Sequence, residues 1–85
     1  NDNIFGQDGN DLIGGDDGND TINAGEGNNT VNGGAGIDSI DAGSGNDVID
    51  GADGNDTINA GIGNNNVLGA AGNDSITAGD GLDTI

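Results

Sequence analysis

The chain repeats itself every nine residues. Sliding the sequence by nine places lays nearly every part of it on another part. That period decides what the chain can fold into, because a nine-residue unit with one regular aliphatic side chain cannot offset the entropy of ordering itself. It has to stack on its own copies. Gly33 to Asp41, Gly-Gly-Ala-Gly-Ile-Asp-Ser-Ile-Asp, is the unit in its fullest form. Residues 1–5 are the tail of one unit, full units run 6–14, 15–23, 24–32, 33–41, 42–50, 51–59, 60–68 and 69–77, and 78–85 lacks only its last position. The frame has no insertion, so residues 1–85 read as one repeat segment, an uncapped excerpt of a longer array.

The columns of this frame differ in strictness. The fourth position is always glycine, from Gly9 through Gly36 to Gly81, which a positive φ or a crowding neighbour explains. The eighth is always Ile or Val and reads as the inward residue of a three-residue strand, with the seventh and ninth facing solvent. The first and second positions are looser, with Ala24, Ala42, Ala60 and Ala78 at the first and Gln7, Asp16, Ala52 and Ala70 at the second. A spacing of nine does not hold a helical stripe, and interior glycines oppose a helix. A short strand followed by a six-residue glycine turn reverses the chain, so two units close a coil of eighteen residues. The predicted fold is all-β, a parallel β-roll solenoid with two short-stranded parallel sheets. One carries Ile4, Ile22, Ile40, Ile58 and Ile76 inward, the other Ile13, Val31, Ile49, Val67 and Ile85. The string GNDTINAG at 18–25 returns at 54–61, a larger duplication of thirty-six residues.

Charge narrows the partners. Sixteen Asp and Glu stand against no Lys, Arg or His, and Phe5 is the one aromatic residue. A compact metal-free form repels itself, and the composition alone is that of a disordered chain until a cation binds. Nothing here neutralises a phosphate, so nucleic acid and anionic membrane surfaces are poor partners, and no apolar run approaches membrane-spanning length, so no membrane insertion is expected. With no cysteine there is no disulfide or thiolate site. Ser39, Ser44 and Ser75 have no His or Lys to activate them, and the acids form a ladder without a distinguished pair, so no enzymatic activity is expected of this segment. The recurrent fifth-position asparagines read as turn residues bonding along each edge. Phe5, Leu12, Ile37, Val48, Ile62, Leu68 and Leu82 fall outside the expected core, either as scattered apolar residues or as a contact surface.

The sixth position carries the chemistry: Asp2, Asp11, Asp20, Asn29, Asp38, Asp47, Asp56, Asn65, Asp74 and Asp83. Stacking sets each carboxylate near the one eighteen residues away, which is costly unless a cation lies between. Calcium fits, because it takes six to eight hard oxygens in a flexible shell and glycine-turn carbonyls supply what the carboxylates do not. Transition metals favour His or Cys. This column pattern resembles the RTX, or haemolysin-type calcium-binding, nonapeptide G-G-x-G-x-D-x-U-x, over the whole chain.

The resemblance implies a secreted bacterial β-roll with calcium between successive coils. It assigns Asp2, Asp20, Asp38, Asp56 and Asp74 to one edge and Asp11, Asp47 and Asp83 to the other. It adds turn carbonyls such as those of Gly15, Gly18, Gly33, Gly36, Gly51, Gly54, Gly69 and Gly72. Asn29 and Asn65 alternate with aspartates on the second edge. Either that edge binds more weakly than the first, or an Asn carbonyl serves as well. Up to about eight intercoil calcium ions are expected. The implied function is a calcium-stiffened structural segment of an extracellular or cell-surface protein, such as a filament, adhesin or surface layer, in contact with flanking repeats or neighbouring copies. The alternative is a calcium-triggered folding module of a type I-secreted toxin or hydrolase whose enzyme lies elsewhere.

Overall fold

Each eighth-position aliphatic residue from Ile4 to Ile76 nucleates a strand in the computed structural model, which describes all of residues 1–85. The strands are β1 (Asn3–Phe5), β2 (Leu12–Gly14), β3 (Thr21–Asn23), β4 (Thr30–Ala35), β5 (Ser39–Asp41), β6 (Val48–Asp53), β7 (Thr57–Asn59), β8 (Asn66–Leu68) and β9 (Ser75–Thr77). They form two parallel sheets, in the order β1-β3-β5-β7-β9 and β2-β4-β6-β8. Ile4 pairs with Ile22, Ile22 with Ile40, and Ile13 with Val31, so each strand lies on the one a full coil later with like positions in register. This is the eighteen-residue parallel roll expected from the sequence.

The core is the thin space between the sheets, and the molecule measures 27 × 23 × 13 Å. Ile22, Ile40, Ile58, Val31, Ile49 and Val67 fill it, with Ile4 and Ile76 packed at its ends. Residues on either side of each inward side chain stay exposed in most strands, as a half-buried strand requires.

Three details depart from expectation. Ala24, Ala42 and Ala60, in a column that looked loose, are fully buried and belong to the core. Ile85, expected inward, is 69% exposed: Thr84 makes a single bridge to Asn66 and no strand covers the residue. β4 and β6 run to six residues, because their pairing continues into the turn through Gly34 with Ala52 and Ala35 with Asp53.

That continuation is general in weaker form. Of 43 backbone–backbone hydrogen bonds, 26 are not between two strand residues; most of these extend a strand ladder by one residue, and the rest join turn to turn. Third-position N–H groups donate to the previous coil, as Glu26 does to the Gln7 carbonyl, and fourth-position N–H groups donate to the next, as Gly9 does to the Glu26 carbonyl.

Candidate metal centre

Chain reversal after each strand puts the sixth-position side chain at the inner mouth of the turn, immediately before the next strand. Asp20, Asp38, Asp56, Asn29, Asp47 and Asn65 are buried there. Asp11, Asp74 and Asp83 are half-buried, and Asp2 is exposed. The eighteen-residue coil brings Asp2, Asp20, Asp38, Asp56 and Asp74 to one edge, and Asp11, Asn29, Asp47, Asn65 and Asp83 to the other.

Each buried aspartate is half committed. The Asp20 N–H donates to Asp38 Oδ1 at 2.8 Å, Asp38 N–H to Asp56 Oδ1 at 2.8 Å and Asp56 N–H to Asp74 Oδ1 at 3.0 Å. The other edge repeats this, with Asn29 N–H donating to Asp47 Oδ1 at 2.7 Å and Asp47 N–H to Asn65 Oδ1 at 2.9 Å. The second carboxylate oxygen, Oδ2, of Asp11, Asp20, Asp38, Asp47 and Asp56 is buried and accepts nothing from the chain. A buried anionic oxygen without a donor is strongly unfavourable unless a cation or proton meets it.

Burial pushes the Asp47 carboxyl above the ordinary carboxylate range, against the opposing hydrogen bond from the Asn29 N–H. Asp56 is raised as well, by burial first; the Asp38 N–H opposes this, and the charges of Asp38, Asp74 and Asp50 add to it.

The turn carbonyls complete the donor set. Those of Gly15, Gly18, Gly36, Gly54, Gly69 and Gly72 accept no hydrogen bond from another residue. A methyl built on Gly33 would fall 2.6 Å from Asp38 Oδ2 and 2.8 Å from the Gly51 carbonyl oxygen. One on Gly15 would fall 2.4 Å from the Gly33 oxygen and 2.7 Å from Asp20 Oδ2. First-position glycine thus leaves a cradle lined by a carboxylate and the next coil's carbonyl. No three acidic side chains converge on one point, so a cation here draws on one or two carboxylates and completes its shell with carbonyls. Such an all-oxygen, irregular set suits calcium, which would neutralise the facing carboxylates and join adjacent coils.

Sequence reasoning missed the division of the first position between the edges. Gly15, Gly33, Gly51 and Gly69 precede the all-Asp edge, whereas Ala24, Ala42, Ala60 and Ala78 precede the other, where Gly6, before Asp11, is the one glycine. The signal was present as an eighteen-residue alternation, hidden because the column reads as interchangeable small residues at a spacing of nine. The fifth-position ladder is as expected: Asn19 N–H donates to Asn1 Oδ1, Asn46 N–H to Asn28 Oδ1 and Asn64 N–H to Asn46 Oδ1, each at 2.8 Å.

No curated protein and no solved structure matches the chain. The family model of the RTX calcium-binding nonapeptide repeat matches in four copies, over residues 1–31, 23–58, 32–67 and 59–85, which together span the whole sequence. With the parallel roll and the ladder of half-committed aspartates already described, that match makes the chain a member of the RTX calcium-binding nonapeptide repeat family.

Proposed function

We propose that this chain is a calcium-dependent structural segment of a secreted or cell-surface bacterial protein, a single roll over residues 1–85 that folds and stiffens as calcium binds along its turns. The observation that carries this reading is the buried, unpartnered Oδ2 of Asp11, Asp20, Asp38, Asp47 and Asp56 in a chain without one cationic side chain. Calcium would be held on the first edge by Asp20, Asp38, Asp56 and Asp74 with carbonyls of the glycine turns, and Asp2 extends that column. The unbroken nine-residue frame and the thirty-six-residue duplication support an array whose natural neighbours are further repeats or copies of itself.

Because the ligands are assembled only by stacking, binding energy is folding energy. Far-ultraviolet circular dichroism of the chain should show disorder in chelator and β-structure at about 1 mM calcium, the range of extracellular modules. Equal β-structure in both conditions would sink the proposal.

A further inference from the structure

Asn29 and Asn65 differ from their neighbours in more than charge. The Oδ1 of Asn29 accepts the Asp11 N–H at 2.9 Å, and that of Asn65 accepts the Asp47 N–H at 2.9 Å. Those bonds fix each amide's orientation, because only the oxygen can accept from an N–H. The atom left to face the turn is therefore the NH2 group, where an aspartate presents a lone pair. It donates: Asn29 Nδ2 to the Gly27 carbonyl and Asn65 Nδ2 to the Ala60 carbonyl, each at 3.3 Å. These are fourth- and first-position carbonyls, the kinds left free at Gly15, Gly18, Gly36, Gly54, Gly69 and Gly72 on the opposite edge; each amide takes one of the pair in its own unit and leaves the other, Ala24 or Gly63, free. Both amides are buried, 1% and 2% exposed, and neither has an unpartnered buried atom. The first-position residues of the same units, Ala24 and Ala60, place fully buried methyl groups where Gly15 and Gly33 leave an oxygen-lined cradle; Ala42 does the same before Asp47, so the methyl marks this edge and the amide alone marks the two Asn turns.

We infer that Asn29 and Asn65 take the place of calcium in their own turns, so that this roll carries a continuous cation ladder on the Asp20–Asp38–Asp56 edge and an interrupted one on the other. The amide does internally what the ion does opposite: it meets a turn carbonyl and adds no charge needing a counter-ion. An edge alternating amide and carboxylate keeps part of its lacing without metal, whereas the all-Asp edge brings three buried anions together. The inference rests on the calcium reading above and specifies which rungs of the second edge lie outside it.

The test is the number of calcium ions bound per chain, by equilibrium dialysis with metal analysis, together with the β-signal in chelator. Asn29→Asp with Asn65→Asp should raise the count by about two ions and lower any residual β-structure in chelator. An unchanged count in a folded double variant overturns the inference and leaves the calcium reading standing. Absence of bound calcium in the parent chain overturns the calcium reading itself. Should the double variant fail to fold even in calcium, Asp38→Asn decides: at least one ion fewer than the parent upholds the inference, and a full complement overturns it.

Discussion

At Gly54 the chain has no room for a methyl group. Its φ is 143°, and a β-carbon there would fall on the Gly36 carbonyl oxygen of the preceding coil. Gly36 stands in the same relation to Gly18, and Gly72 to Gly54. From Gly27 onward the fourth position is held to glycine by two reasons acting together, a left-handed backbone and a neighbour's carbonyl in the β-carbon's place. Gly54→Ala should therefore cost about 3 kcal/mol, read as a large rise in the calcium concentration needed for half-folding. Gly14 is the internal control: it sits exposed in β2, has no positive φ, and a β-carbon on it meets nothing within 4 Å. Gly14→Ala should be neutral or stabilising by up to about 1 kcal/mol. Comparable losses at both sites would show that glycine is needed for flexibility and not for contact. Ala52 and Ala70 adopt φ of 73° and 71° at the second position, so those two turns accommodate a β-carbon, whereas one built on Gly34 or Gly61 in the same column would fall on the preceding coil's carbonyl oxygen.

Between elements, two side-chain ladders run in opposite senses. The fifth-position Asn oxygen reaches forward to the next coil's N–H, as Asn55 does to Asn73, and the sixth-position oxygen reaches back, as Asp56 does to Asp38. Ile37 interrupts the forward ladder: its own N–H donates to Asn19, but it offers nothing to the Asn55 N–H. Ile37 is exposed, so Ile37→Asn removes no core packing. It should stabilise the roll by about 0.5 to 1 kcal/mol, seen as a higher melting temperature at fixed calcium. No change would mean that water already serves the Asn55 N–H equally well.

Strands, pairing partners and the two edges were legible in the sequence because an inward Ile or Val in every unit fixes register by itself. Ladder length was not legible. β4 and β6 extend through Gly33 to Ala35 and Gly51 to Asp53, and that depends on neighbouring turns sharing a backbone conformation, which glycine leaves open. The burial of Ala24, Ala42 and Ala60 was equally hidden, since alanine fits core and surface alike. At Asn29 and Asn65 the departure from aspartate was visible at once. Its meaning was not, because it depends on which end of the amide the backbone ladder claims.

For the whole molecule the governing quantity is charge. A net charge of −16 is gathered on a body 27 × 23 × 13 Å, and the carboxyls of Asp47 and Asp56 are both raised above their ordinary value, chiefly by burial. A group whose pKa is higher in the folded than in the unfolded state binds more protons when folded, so without metal it favours folding at low pH and opposes it as pH rises through the raised value. In chelator, acidification from about pH 7 towards the ordinary carboxylate range near 4 should therefore increase β-structure, as protons partly replace the missing cations at Asp56 and at Asp47 between its two amide neighbours. With calcium the sign reverses, because the ligands must be ionised to bind and protons compete with the ion. The two titrations, followed by circular dichroism in chelator and by calcium release in its absence, should run in opposite directions through the same window. A metal-free chain that loses structure on acidification would show that the cost of burying these carboxylates in their charged form is not what opposes folding without metal.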